Sequence, residues 1–454
     1  MFYQESYAES MMANAKGVTP EGAIATLKKH MLVDGFDIVV DLKESRGSYI
    51  VDARTGKRYL DFFTFVASSP IGINHPKMTR PDFLEKLATV AVNKPSNSDI
   101  YTTEQAEFLE TFERVGLPSY LPHVFFVDGG SLGVENALKA AFDWKIKKNF
   151  KRGYKEEKGT KVLHFKRAFH GRSGYTLSLT NTDPAKTDLY PKFAWPRVLN
   201  PVRRYPLTED NVKITVQEEE TSIAEIKEAF RACKDDVAAI ILEPIQGEGG
   251  DNHFRGEFLR ALRQLADENE AMFIVDEVQT GIGLTGKMWA HQHFGFEPDM
   301  VVFGKKMQVC GFLCGTRIDE IKDNVFVVPS RINSTWGGNL VDMVRAQRYL
   351  EIIEEDNLVE NARRMGSHLV AQLEHLALEF PSQIAAARGR GLLAAFDMLD
   401  VQQRTPFREK CLERGLILLP SGERSIRFRP PLTVSQEEIE EGLKIIRSSL
   451  EDLS

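Results

Sequence analysis

From about residue 120 onward, short apolar runs alternate with longer stretches of helical period. The runs are HVFFVD (123–128), KVLHF (161–165), VAAIILEP (237–244), MFIVDE (272–277), MVVFG (300–304) and FLCGTRI (312–318). Near-continuous apolarity over so short a length predicts strands buried on both faces. Between them, VENALKAAFDWKIKK and EFLRALRQLADENE (257–270) predict helices. Strands alternating with helices predict an α/β fold whose mainly parallel sheet is covered on both sides. Ahead of this region, Thr19-Pro20 predicts a helix start, and YIVDARTGKRYLDFF a hairpin turning at Thr55-Gly56. Beyond about 340, NLVDMVRAQRYLEIIEEDN predicts a long helix. Apolar runs follow at GLLAAFDML (391–399), LILLP (416–420) and SIRFRPPL, and Ser435-x-x-Glu438 opens a last helix as a capping box. The expected organisation is an N-terminal arm over 1–70 contributing to a small domain, a large domain over 71–340, and a smaller α+β domain over 341–454.

Ligands of open α/β sheets bind beyond the carboxyl ends of the strands. The residues just after the predicted strands are Gly129-Gly130-Ser131, Phe169-His170-Gly171-Arg172, Glu243 to Glu248, Asp276 to Gln279 and Lys305-Lys306. Two glycines and a serine between a strand and a helix suit a phosphate, because the backbone can approach and the helix start offers unpaired N–H groups. A plain tight turn would look the same. Asp276 ends an apolar run, and a buried carboxylate needs a cation or donors. A structural ion pair would satisfy it, as would the ring nitrogen of a cofactor. Lys305 follows MVVFG, where desolvation can make an amine neutral and nucleophilic. Phosphate cradle, acid and amine together suggest pyridoxal phosphate.

Composition narrows the function classes. The chain has 454 residues, 58 basic and 65 acidic, for a net charge of −7. That balance gives no general attraction to nucleic acid or anionic membranes. Cys233, Cys310, Cys314 and Cys411 lack the spacing of a zinc site and are expected to be free thiols. Sparse cysteine, an opening stretch MFYQESYAESMM without the features of a signal peptide, and no run long enough to span a bilayer point to a cytoplasmic location.

The succession DEVQTG, then Pro298-Asp299, then Met300-Val301-Val302-Phe303-Gly304 leading to Lys305, resembles the signature of the class-III, or ω-amino acid, aminotransferases. The resemblance extends from LDFFTF through INHP (73–76) to IRFRP (426–430). It implies a fold-type I pyridoxal-phosphate enzyme. It also implies Lys305 as the Schiff-base lysine and general base, with Asp276 at the ring nitrogen. Gly130 and Ser131 would hold the phosphate, Phe169 would stack on the ring, and Gln279 would lie near the ring hydroxyl. Thr335, in NSTWGG, would reach the phosphate of the other subunit in a homodimer.

Arg172 would take the distal carboxylate of either substrate. Arg427 would take the α-carboxylate of L-glutamate or 2-oxoglutarate, and Glu248 would cover Arg427 when lysine is bound. Asn333 would meet the α-amino group of lysine. Glu243 is expected to be structural, His170 a second-line donor, His291 and His293 part of the fold, and Arg429 is set aside as facing elsewhere. Within the family, VFFVDGGSLGVENALKAAFDWK (124–145), EPIQGEGGDNHF (243–254) and VPSRINSTWGGNLVDM (328–343) resemble members that take the ε-amine of L-lysine. Donors such as 4-aminobutyrate or ornithine are the alternative, and a non-catalytic cofactor-binding regulator is the alternative of another kind. The sequence departs from the family pattern in GIGLTG and in INHP, neither within the catalytic set.

Overall fold

The computed structural model describes residues 17–453, so the stretch read for a signal peptide lies outside it. Its centre is a seven-stranded sheet. In spatial order the strands are His123–Val127, Cys310–Cys314, Met300–Phe303, Met272–Asp276, Val237–Leu242, Lys161–Phe165 and Arg197–Val198. All run parallel except Cys310–Cys314, which is antiparallel to both neighbours. The exception follows from chain length. Only Gly304 to Val309 separates it from Met300–Phe303, too short for the crossover a parallel pair requires.

Successive side chains of the central strands bury into opposite layers, as the period of two dictates. Met272, Ile274, Met300 and Val302 pack with Ala137, Ala141 and Trp144 of helix Gly130–Lys151. Phe273, Val275, Val301 and Phe303 pack on the other side with Phe258, Leu262 and Leu265 of helix Gly256–Glu268. Apolar side chains on both faces are why these strands read as unbroken apolar runs. At Gly133 the helix and sheet nearly touch, and a Cβ there would lie 2.9 Å from Gly311 O.

A second, antiparallel sheet contains Ile384–Arg390, Leu393–Met398, Ser425–Phe428 and Leu419–Ser421. The hairpin strands Tyr49–Val51 and Arg58–Asp61 pair with each other, and Arg58–Asp61 takes Leu416–Ile417 as a parallel neighbour. The hairpin ahead of the large sheet and a strand of the C-terminal region therefore share a small sheet. Helix Gln436–Glu451 carries the Ser435–Glu438 capping box, and Glu438 also accepts from Ser48 Oγ at 3.0 Å. Thr19 caps helix Pro20–Leu27.

Several elements differ from expectation. The last sheet strand is Cys310–Cys314, not 312–318, because pairing with His123–Val127 sets its register, and Thr316–Glu320 turns away as a 3-10 helix. LILLP splits between two sheets. Helices Glu209–Ala232 and Leu358–Glu379 and the short strand Arg197–Val198 went unread; the first helix is largely polar, and its Thr208 cap with two acids behind it was the available signal. Among the described residues, no helix is long and apolar enough to cross a membrane.

Candidate active site

The carboxyl ends of the parallel strands open on a cavity of about 610 Å³. Its walls include Ser131, Phe169, Arg172, Asp276, Gln279 and Lys305. Parallel strands in register bring these residues together although 174 positions separate Ser131 from Lys305; Val302 pairs with Asp276, which sets Lys305 beyond the Asp276 strand end.

At one end lies the start of helix Gly130–Lys151. Gly129 precedes it at φ 102°, and the Ser131 hydroxyl hydrogen-bonds Ser173 Oγ at 2.5 Å and Thr176 Oγ1 at 2.8 Å. The free N–H groups of a helix start favour an anion. Gly171, at φ 121°, closes the other side. A Cβ on it would lie 2.3 Å from Ser131 Oγ and 2.9 Å from Thr176 Oγ1. Gly171→Ala is therefore expected to weaken cofactor binding at least about tenfold, since strain of this kind costs on the order of 1–3 kcal/mol. Titration of the protein with pyridoxal phosphate, the group expected from the sequence, checks this; unchanged affinity would show that the cradle tolerates the methyl group.

Across the cavity, the Asp276 carboxylate is buried. Its Oδ2 meets His170 Nδ1 at 2.8 Å and its Oδ1 accepts from Val278 N at 3.1 Å. His170 is buried too, with Nε2 lacking a partner, and its backbone N–H donates to Thr180 Oγ1 at 2.9 Å. Glu243 accepts from the N–H of Phe169 and of Gly247, both at 3.0 Å. Burial pushes its carboxyl up to about 7. Through these bonds it pins the loop bearing Phe169.

The two adjacent lysines diverge. Lys306 is 2% exposed and donates to Gln279 O at 2.6 Å and Ala67 O at 3.3 Å. Lys305 faces the cavity and donates only to Val66 O, at 3.3 Å. Burial pushes its amine down to about 8, and Arg427 adds to the shift. Both lysines thus lean on Thr64–Ala67, four consecutive non-glycine residues at φ 44° to 61°. Left-handed backbone costs roughly 1–2 kcal/mol per residue. Asp61 Oδ1 offsets this by accepting from Phe63 N at 2.8 Å and Thr64 N at 2.7 Å, while Thr64 Oγ1 donates to Arg429 O at 2.7 Å. Nothing in FFTFVASS marks this turn in advance.

Arg427 is 4% exposed and lies in strand Ser425–Phe428. Its Nη2 meets Glu248 Oε2 at 3.0 Å, while its buried Nε and Nη1 have no acceptor. Burial would raise the Glu248 carboxyl, but Arg427 and a bond from Lys186 outweigh it and hold its pKa below the usual value. Arg429 does not face elsewhere. A spacing of two returns to the same side of a strand. Arg429 pairs with buried Asp251 and donates from Nη2 to Gln279 Oε1 at 2.9 Å. It thereby fixes the side chain of Gln279. Arg172 lines the cavity and is exposed. Thr335 and Asn333 are exposed and do not line their own chain's cavity; Thr335 O accepts from Ser96 Oγ at 2.6 Å, and Asn333 Oδ1 from Ser334 N at 2.8 Å. His291 is buried against Glu277, whose Oε1 lies 2.7 Å from its Nδ1, as part of the fold. Sequence reasoning missed Lys186, which sits at the end of the turn Pro184–Lys186 in a polar stretch that reads as plain surface.

The donor set fits pyridoxal phosphate. A helix start can take the phosphate, a buried carboxylate the ring nitrogen, and a desolvated amine the aldehyde.

Comparison with known proteins agrees. The model of the aminotransferase class-III family matches residues 32–450. The L-lysine-epsilon aminotransferase of Mycobacterium tuberculosis is 52% identical over 443 residues, 97% of this chain and 98% of that protein. The L-lysine-epsilon aminotransferase of Amycolatopsis lactamdurans is 51% identical over 93% of this chain and 94% of its own length. Human mitochondrial 4-aminobutyrate aminotransferase is 34% identical over 90% of this chain and 84% of its own. Among solved structures, lysine aminotransferase from M. tuberculosis in the internal aldimine form superposes with a TM-score of 0.94 at 52% identity, covering 96% of this chain and 100% of that one.

Proposed function

The chain belongs to the class-III aminotransferases, pyridoxal-phosphate enzymes of fold type I, and from that premise we propose that it transfers the ε-amino group of L-lysine to 2-oxoglutarate. The products are L-2-aminoadipate 6-semialdehyde, which cyclises, and L-glutamate. The observation that carries this reading is Arg427, buried and covered on one side by Glu248, with two donors left free.

Lysine presents a terminal amine with bare methylenes beside it, whereas glutamate presents an α-amine with a carboxylate beside it. A guanidinium left uncovered against methylenes would be costly. Glu248 covers Arg427 for lysine and yields it to the α-carboxylate of glutamate or 2-oxoglutarate, which the free fork grips. Arg172, at the exposed side of the cavity, takes the distal carboxylate of either substrate.

When bound, pyridoxal phosphate would supply a reactive aldehyde and a ring that accepts electron density. Gly130 N–H and Ser131 Oγ hold the phosphate, Phe169 covers the ring, and Gln279 stands beside it under the hold of Arg429. Asp276, steadied by His170, keeps a proton at the ring nitrogen. Lys305 would hold the aldehyde, and its Nζ would take the proton from the reacting substrate carbon. We further assign Thr335 to the phosphate site of a second subunit in a homodimer, where Asn333 meets the lysine α-amino group; exposure of both residues supports this. Four free cysteines suit a reducing compartment such as the cytoplasm.

The test is to mix the holoenzyme with L-lysine alone and follow the cofactor absorbance. Bleaching of the bound-aldehyde band with a cyclised imine product, and a far weaker response to 4-aminobutyrate and ornithine, is expected. Bleaching by 4-aminobutyrate but not by lysine would transfer the proposal to that donor. Glu248→Gln is expected to slow the lysine half-reaction at least about tenfold more than the 2-oxoglutarate half-reaction. Equal slowing would remove Glu248 from substrate selection.

A further inference from the structure

Glu248 is held by two cations at once. Its Oε2 accepts from Arg427 Nη2 at 3.0 Å, and its Oε1 from Lys186 Nζ at 2.6 Å. The backbone beneath it is fastened to the C-terminal sheet at each step. Ser421 Oγ donates to Gly247 O at 2.7 Å and Gly422 N to Glu248 O at 2.9 Å. Arg388 donates to Gly250 O at 2.7 Å and to Asp251 O at 2.9 Å. Gly249 lies so close to Arg167 that a Cβ would fall 2.0 Å from its carbonyl oxygen. A loop fixed in this way cannot swing as a unit. If Glu248 leaves Arg427, only its side chain moves, about a stationary Cα.

Lys186 is built differently. It ends the three-residue turn Pro184–Lys186, its side chain is 23% exposed, and its ammonium lies 5.9 Å from the centre of the Phe169 ring. A long, flexible amine beside Phe169, itself a residue of the cavity wall, can follow a rotating carboxylate, whereas Arg427, buried in its strand, cannot.

We propose that Lys186 is the second anchor of Glu248, a positioning residue that retains the carboxylate when Arg427 turns to the α-carboxylate of glutamate or 2-oxoglutarate. The inference rests on the exchange at Arg427 described above. Without Lys186, a departing Glu248 would lose both charge partners, so it would stay on Arg427 and compete with the incoming substrate. Lysine, which needs Glu248 on Arg427, would bind as before. Lys186 thus favours one half-reaction of the two.

The experiment compares Lys186→Met holoenzyme with the parent in separate half-reactions, followed by cofactor absorbance. The apparent dissociation constant for 2-oxoglutarate on the aminated enzyme is expected to rise about tenfold, as loss of a charge-assisted hydrogen bond implies. The lysine half-reaction is expected to change less than about threefold. Lys186→Arg should restore 2-oxoglutarate binding, and in a Glu248→Gln background Lys186→Met should add nothing, since the group it acts through is gone. Equal losses in both half-reactions, no rescue by arginine, or an undiminished effect in the Glu248→Gln background would each overturn the proposal. If Glu248→Gln alone fails to separate the half-reactions, the exchange at Arg427 falls and Lys186 falls with it. If Glu248→Gln separates them while Lys186→Met does not, only the role of Lys186 is lost.

Discussion

Lys305→Ala is expected to lower turnover by at least about 10⁴-fold, because one amine serves as both anchor and proton carrier. The protein should still fold. Lys305 donates only one bond, to Val66 O, whereas buried Lys306 ties the same turn to Gln279 O through two. The checks are a single turnover with L-lysine and a thermal melt of the same sample. A small primary amine added to the variant should recover part of the rate by carrying the proton; recovery by Lys306 instead would show as appreciable turnover without any added amine. The pH dependence has a definite sign. Burial lowers the Lys305 amine to about 8, so it is protonated below that pH and neutral above it. The rate at which apoenzyme captures the cofactor aldehyde should therefore rise with pH and level off above about 8. A rate still climbing toward pH 10 would mean that the amine is solvated and behaves as an ordinary lysine.

Asp276→Ala is expected to reduce the rate of both half-reactions by about 10³-fold, within the range that positioned proton chemistry supplies. The carboxylate is buried, has His170 Nδ1 at 2.8 Å and Val278 N at 3.1 Å, and offers the remaining charge to the cavity. Removing it leaves the ring nitrogen without a partner that keeps it protonated. A cofactor analogue methylated at that nitrogen carries the positive charge without a proton. It should restore a large part of the activity of the variant and none of that of Lys305→Ala. Failure of the analogue, with cofactor bound at normal affinity, would assign Asp276 to its hydrogen bond with His170 and nothing more.

The strands and the order of the site were legible because burial on both faces imposes unbroken apolar runs, and charge or glycine directly after such a run stands out. Asp276 and Lys305 were found in this way, and Val302 pairing with Asp276 explains why they share a site. Arg427 and Glu248 were legible only through resemblance, since an arginine in IRFRP and a glutamate in a glycine-rich loop carry no spacing of their own. Arg429 was not legible as part of the site, because its role depends on burial against Asp251 and Gln279, which makes it the support of the cavity wall.

What the sequence determined by itself was local: period, caps, turns, and which residues follow each strand, because these depend on neighbours along the chain. The class of chemistry followed from residue types at those positions. The tertiary structure alone decided which lysine faces the cavity, since the direction of Lys305 and Lys306 is set by a left-handed turn some 240 residues earlier, through Val66 O and Ala67 O. It also decided that Glu248 lies between Arg427 and Lys186. Desolvation and pairing of charges depend on distance in space, and residues 186, 248 and 427 come within hydrogen-bonding reach only when the C-terminal sheet closes on the loop after the fifth strand from the sheet edge, Val237–Leu242.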